Sequence, residues 1–197
     1  MTKVGWIVLI GILLVAGVFA SMLSLGGQDI QVGPRTMPRV GFDPPTRTVM
    51  GANGLPVLQV PVAGVARGQI VDSWGQARGE GRQHRGTDIM APGGTPVVAV
   101  AAGTVEKLFQ SRLGGTTLYQ RSPDGRWTFY YAHLADYAPG IREGQALRAG
   151  EVLGYVGDTG DAGAGNYHLH FSLARLRPDQ RWWEAQDVNA YPALAGR

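Results

Sequence analysis

Tyr167-His168-Leu169-His170-Phe171 sets two histidines on either side of a leucine in a short β-like run. Side chains alternate along a strand, so both imidazoles lie on one face. Leu169 and Phe171 then point to the opposite face, into a core. Two imidazoles side by side on one strand face can both reach a single metal site. The chain holds four histidines, and the other two are His84 and His133. All four fall at the ends of β-like runs beside glycine-rich loops. None lies in the N-terminal apolar segment, in the stretch that follows it or in the tail.

Upstream of the histidine pair the chain reads as a succession of short strands. The loop from Asp158 to Asn166 leads straight into it. Ile141 to Gly157 resembles two short strands separated by glycine turns. Thr116–Arg121 and Arg126–His133 flank Ser122-Pro123-Asp124-Gly125, whose proline and Asp-Gly are turn chemistry, so the two runs form a β-hairpin. Trp127, Phe129, Tyr131 and His133 share a parity on its second strand, with His133 at the strand's end. Thr95 to Val105 is a β-branched run broken by Gly103. Gln69 to Gly75 reads as a strand ending in a turn. Trp182, Trp183 and Tyr191 are expected to pack over the sheet.

His84 and Asp88 stand four residues apart. Gly86 and the later Pro92-Gly93-Gly94 argue against a helix there. On a strand an even spacing also puts both side chains on one face. They form a nitrogen-plus-carboxylate pair suited to a divalent cation. The chain has no cysteine, so thiolates take no part in a metal site. It also has no His-Glu-x-x-His, which excludes a helix-borne zincin site.

The order His84-x-x-x-Asp88, Tyr131-Ala132-His133-Leu134, glycine loop, His168-Leu169-His170-Phe171 resembles the M23 peptidases, the lysostaphin-type or LytM-type zinc endopeptidases of peptidoglycan. The likeness extends to Trp74-Gly75 with Arg78, to Asp88-Ile89-Met90-Ala91-Pro92 with Gly94-Thr95-Pro96-Val97, and to Gly144 through Gly157 with Thr159-Gly160. It covers about Pro61 to Arg175. The resemblance implies a mainly β, antiparallel, sandwich-like catalytic domain of the LytM type. It also implies one Zn2+ ion held by His84, Asp88 and His170, with His133 and His168 as catalytic residues off the metal. It leaves open which of those two is the base and which stabilises the oxyanion. Loops Ala77–Arg82, Arg112–Gly115 and Asp158–Asn166 would wall a groove for an extended peptide of peptidoglycan.

Composition fits this picture. The 197 residues are 44% hydrophobic and 17% charged, with 30 glycines and 12 prolines. These are the marks of a globular, turn-rich, β-rich domain. The formal net charge of +3 is scattered, which speaks for a solvated surface and against nucleic-acid binding. From Val4 to Leu25 no residue is charged, a length sufficient for a membrane-spanning helix. Lys3 precedes it, so the positive-inside rule leaves the rest of the chain outside. Residues 1–25 read as a retained membrane anchor, with a cleaved signal sequence as the competing reading. Residues 26–54 read as a Gly/Pro-rich tether, and residues 55–197 as the domain. The expected location is the cell envelope, or secretion if the segment is cleaved. Two rival readings stand beside this one. One is a non-catalytic LytM-type activator of a cell-wall amidase. The other is a carrier module, for which Lys107 is a poor attachment site because it lies in a run that reads as strand.

Overall fold

The structure, a computed structural model, describes residues 47–177 and 179–196. The expected membrane segment over 1–25 and tether over 26–46 lie outside them. Among the described residues no helix is long and apolar enough to cross a membrane. The described residues of the stretch read as tether make contacts of their own. Residues 49–57 fold back on themselves through Val57 N–H to Val49 O at 2.8 Å, and the Thr48 hydroxyl donates to Asp124 at 2.7 Å.

The strands are β1 (Thr87–Met90), β2 (Pro96–Val98), β3 (Gly103–Ser111), β4 (Gly115–Arg121), β5 (Trp127–Tyr137), β6 (Ala146–Leu147), β7 (Val152–Val156), β8 (His168–Arg175) and β9 (Gln186–Val188). A short helix, α1 (Tyr191–Ala195), follows them. Pairing is antiparallel throughout, in the order β1-β8-β5-β4-β3-β6; β2 pairs with β7, β7 with β5, and β9 with β8.

Alternation builds the core. Leu169, Phe171 and Leu173 of β8 are wholly buried, as are Phe129 and Tyr131 of β5 and Leu118 of β4. Each such side chain contributes about 1.5–3 kcal/mol by leaving water. Tyr131 buries its hydroxyl without loss, because Val100 N–H donates to it at 3.0 Å and it donates to Gln120 Oε1 at 2.7 Å. Gln120 in turn donates to Ala101 O at 2.8 Å, so the buried polar chain is satisfied. Trp182 lies on the other face of the sheet against Tyr119 (4.4 Å between centroids) and Phe109 (5.8 Å). Trp183 does not pack over the sheet as expected. It is 58% exposed and meets only the edge of Trp182 among the rings.

The β4–β5 hairpin forms as the sequence indicates. Asp124 Oδ1 accepts from Ser122 Oγ at 2.7 Å and from Arg126 N–H at 3.2 Å, and Gly125 takes φ +70°. Three expectations need correction. First, Gln69–Gly75 is not a strand. A 3-10 turn spans Arg67–Gln69, and the Asp72 carboxylate then bonds Trp74 N–H at 3.1 Å, so a local side-chain turn replaces a ladder. Second, His84 is not on the strand that carries Asp88. It pairs with the preceding turn (His84 N–H to Gln76 O, 2.8 Å), and β1 starts only after the bend at Gly86.

Third, β5 does not end at His133, and His133 does not share the core face of Trp127, Phe129 and Tyr131. Leu118 pairs with Tyr131, and Thr116 with Leu134, so Thr117 alone opposes both Ala132 and His133. This is a β-bulge. His133 takes φ +61°, the sole positive value at a non-glycine among the described residues. The bulge breaks the alternation and turns the imidazole to the outer face. There β5 also changes partner. Trp127–Ala132 pair with β8, and Leu134–Tyr137 with β7.

Candidate metal centre

Three adjacent strands set the floor of the site. Asp88 of β1 is in register with His170 of β8, which is in register with Ala132 of β5. His168 and His170 share the outer face, while Leu169 and Phe171 are buried opposite, as alternation requires. His84 comes in from the segment before β1. The nearest ligand-type atoms of the three candidate ligands form a small triangle. His84 Nε2 lies 3.0 Å from Asp88 Oδ1 and 2.9 Å from His170 Nδ1, and His170 Nδ1 lies 3.1 Å from Asp88 Oδ1.

The surrounding bonds fix which nitrogens carry protons. His84 Nδ1–H donates to Ser73 O at 2.7 Å, so Nε2 presents a lone pair. The Ser172 hydroxyl donates to Arg85 O at 2.8 Å, which leaves its oxygen to accept from His170 Nε2–H at 3.0 Å. His170 Nδ1 therefore presents a lone pair as well. Asp88 Oδ1 is a carboxylate oxygen, and Arg78 bonds its other oxygen, Oδ2. Three lone pairs thus face one another with no proton between them. Such an arrangement repels itself unless a cation sits among its members, and two imidazoles with one carboxylate are a donor set that zinc accepts. The residues present fit a metal ion.

Two further imidazoles face this triangle from the side. His133 Nδ1–H donates to Thr159 O at 2.7 Å, and His168 Nδ1–H to Asn166 O at 2.8 Å. Both keep Nε2 free for the cleft. His168 Nε2 is 3.9 Å from Asp88 Oδ1, and the rings of His133 and His168 are 4.8 Å apart. Thr159 ties the loop to the bulge, accepting from Thr116 N–H at 3.0 Å and donating to Leu134 O at 2.8 Å. The loops also interlock through glycine. A Cβ on Gly160, at φ +75°, would stand 2.2 Å from Leu113 O.

Charge and burial tune these groups. Burial works to raise the Asp88 pKa, but in the metal-free chain a proton taken up by His170 or His84 would bond this carboxylate, and that pull outweighs burial and holds the carboxyl well below its usual range. Burial lowers His170, against the pull of Asp88. Burial also lowers His133, helped by His168 and His170 and opposed by the Thr159 carbonyl. Both shifts favour the neutral imidazole. Above them opens a cleft of about 770 Å3. One wall carries Arg78, Gly79 and Arg82, another Leu113 and Gly114, and the third Asp161, Ala162 and Asn166. These belong to the loops read from the sequence as groove walls.

The profile of peptidase family M23 matches residues 82–186, more than half of the chain. The chain belongs to peptidase family M23. The L-Ala–D-Glu endopeptidase of Bacillus subtilis strain 168 is 38% identical to this M23 chain over 129 residues, 62% of this chain and 38% of that protein. This chain thus spans well under two thirds of that relative. The catalytic domain of lysostaphin from Staphylococcus simulans superposes with a TM-score of 0.51 at 29% identity, covering 60% of this chain and 86% of that one. A zinc-containing peptidase from Vibrio cholerae superposes with a TM-score of 0.56, covering 73% and 43%; at 23% identity this is a likeness of fold. The mainly antiparallel fold expected from the sequence is the M23 fold.

The M23 domain brings all five sequence-derived site residues together. His84, Asp88 and His170 make the triangle, and His133 and His168 stand beside it. The sequence reading missed the anchors. Ser172 was legible, since it continues the same-face series His168, His170. Arg85 acts through its backbone carbonyl and left no side-chain signal, while Ser73 holds His84 by its carbonyl and accepts from Asp88 N–H at 3.0 Å by its hydroxyl. Tyr130, whose ring lies 6.0 Å from that of His170, was read only as part of an aromatic strand.

Proposed function

We propose that this chain is a zinc-dependent endopeptidase that cuts peptide bonds in the stem peptides or cross-links of peptidoglycan, outside a membrane that its N-terminal segment anchors. The observation that carries the reading is the set of three converging lone pairs with two further Nε2 atoms facing the same cleft. His84, Asp88 and His170 would hold the zinc, which would supply Lewis acidity and lower the pKa of a water to about 7. The remaining work falls to the chain. His133 and His168, each tied at Nδ1 to a carbonyl, can take up or donate a proton only at Nε2. In the neutral form Nε2 accepts a proton; once protonated it donates to the oxyanion or to the leaving amine. The Ser73 and Ser172 anchors keep the two ligand imidazoles from rotating. The cleft, open and walled by three loops, suits an extended peptide.

A cell-envelope location is supported by the uncharged run Val4–Leu25 with Lys3 before it. Peptidoglycan as substrate is supported by the family and by the names of its members. Every ligand position is filled, which favours an enzyme over a non-catalytic amidase activator. The test is to digest purified peptidoglycan with the zinc-loaded chain, with chelated chain and with His133→Ala, and to analyse the fragments by mass. Peptide-bond products that vanish on chelation and in the variant are expected. Intact peptidoglycan with zinc bound, together with stimulation of an amidase, would overturn the reading.

A further inference from the structure

The cleft is unevenly charged. Arg78, Arg82 and Arg85 line one side, and the acids among its lining residues are Asp88 and Asp161. Two of the three guanidiniums have duties within the fold. Arg78 bonds Asp88, and Arg85 lies over the Trp74 ring at 5.7 Å. Arg82 differs. Its partner, Asp161, belongs to another wall, with Nη2 and Oδ2 3.2 Å apart and the side chains 43% and 40% exposed. The pair therefore bridges two walls of the cleft that a substrate must enter.

Such an exposed pair holds the walls together only weakly. Its two ends differ in the length of the side chain. Asp161 N–H is bonded to Leu113 O at 2.8 Å, in the interlocked region that also positions His133. The Arg82 backbone is also held, by Arg78 N–H to Arg82 O at 2.8 Å, but its guanidinium sits at the end of a long, 43% exposed side chain. An entering carboxylate can thus take the place of Asp161 on Arg82 at little cost and gain a two-pronged, charge-assisted contact. A neutral peptide must part the pair and return nothing.

Building on the peptidase reading above, we propose that Arg82 is a specificity residue. Released from Asp161, it binds a free carboxylate on a substrate residue flanking the scissile bond. The cleft then selects anionic peptides over amidated or glycine-only ones. Arg82 touches neither the ligand triangle nor the free Nε2 atoms, so its effect falls on recognition.

The test uses the zinc-loaded full chain and three peptides: a cross-linked stem peptide with free carboxylates, its amidated counterpart and a neutral oligoglycine. The free-acid peptide is expected to exceed the amidated one in kcat/KM by about tenfold, mostly through KM, with the gap narrowing as salt rises. Arg82→Gln should bring the ratio close to one, and Arg82→Lys should restore part of it. Zinc content is measured in each variant to show that the centre is intact. Kd ratios from calorimetric titration are read alongside. A chain that binds with the same preference but cuts nothing would refute the peptidase reading while upholding Arg82. A wild-type ratio near one, or an Arg82→Gln that slows both peptides equally, overturns the proposal.

Discussion

Removing one hydroxyl at Ser172 should weaken the metal centre without touching a ligand. Ser172 Oγ accepts from His170 Nε2–H at 3.0 Å and donates to Arg85 O at 2.8 Å, and the residue is 7% exposed. Ser172→Ala strands a buried N–H and a buried carbonyl. Each unsatisfied group costs about 1–3 kcal/mol, less whatever water recovers, so a loss of about 2 kcal/mol in folding stability is expected. The effect on metal is separate. Without the serine, nothing fixes the proton on Nε2, and the tautomer with Nδ1–H facing Asp88 becomes competitive. That tautomer offers the ion no lone pair. Loss of such an outer bond typically lowers metal affinity about 10- to 100-fold, or about 1.4–2.7 kcal/mol. Competition for zinc against a chromophoric chelator reads the affinity, and nitrogen chemical shifts of His170 read the tautomer. Ser172→Thr keeps a hydroxyl and should recover most of the loss. If Ser172→Ala binds zinc as tightly as wild type, the tautomer argument is wrong.

His133→Ala and His168→Ala should each retain zinc and lose turnover, whereas Asp88→Asn and His170→Ala should lose both; metal analysis beside a cleavage assay separates the classes. Loss of zinc in His168→Ala with retention in His170→Ala would reverse the assignment. Gly86→Ala should reduce zinc content although it alters no ligand, because its Cβ would lie 2.6 Å from the His170 imidazole and 2.8 Å from Phe171 O; unchanged zinc and melting temperature would contradict the close approach. Burial, with repulsion from His168 and His170, holds His133 below its ordinary 6.5. The unfolded chain therefore takes up this proton at higher pH than the folded one. The stability that comes from keeping His133 neutral is whole above pH 6.5 and drains away as pH falls from there toward the folded value. In melts of metal-free protein, His133→Gln should lose less stability than wild type between about pH 7 and about pH 5, and equal slopes would refute the shift.

What the sequence made legible followed from period and punctuation. The period of two in His168 through Phe171 assigned both faces of β8 correctly. Ser122-Pro123-Asp124-Gly125 marked the hairpin because each residue has a fixed role in the turn. The even spacing of His84 and Asp88 led to the right grouping by the wrong route. His84 reaches Asp88 from a separate segment, across a bend that Gly86 allows, rather than along one strand. Gln69 to Gly75 misled because Asp72 bonds the backbone locally, a competition that apolar periodicity does not register. Nor does any pattern of side chains reveal that the carbonyls of Ser73, Thr159 and Asn166 anchor three imidazoles, since every residue has a carbonyl.

His133 shows how far alternation goes before local geometry overrules it. Counted from Trp127 at a period of two, it belongs in the core with Phe129 and Tyr131. Burying an imidazole there beside Leu118 would be costly, and the bulge at Ala132–His133 avoids that by turning the ring outward. The same extra residue lets β5 leave β8 and take up β7, which carries the chain to the loop whose Thr159 pins the ring. A comparable distinction separates His168 from His170 on one face of β8. His170 sits opposite Asp88 in register and meets it with the near nitrogen, Nδ1, so its far nitrogen must be held by Ser172. His168 lies opposite Met90, two residues along from that row, and its near nitrogen is tied to Asn166 O, so only the far nitrogen enters the cleft. Two histidines with the same parity thereby present different nitrogens, His168 its Nε2 to the cleft and His170 its Nδ1 to Asp88. Register and backbone anchoring set that division; the spacing His-x-His cannot.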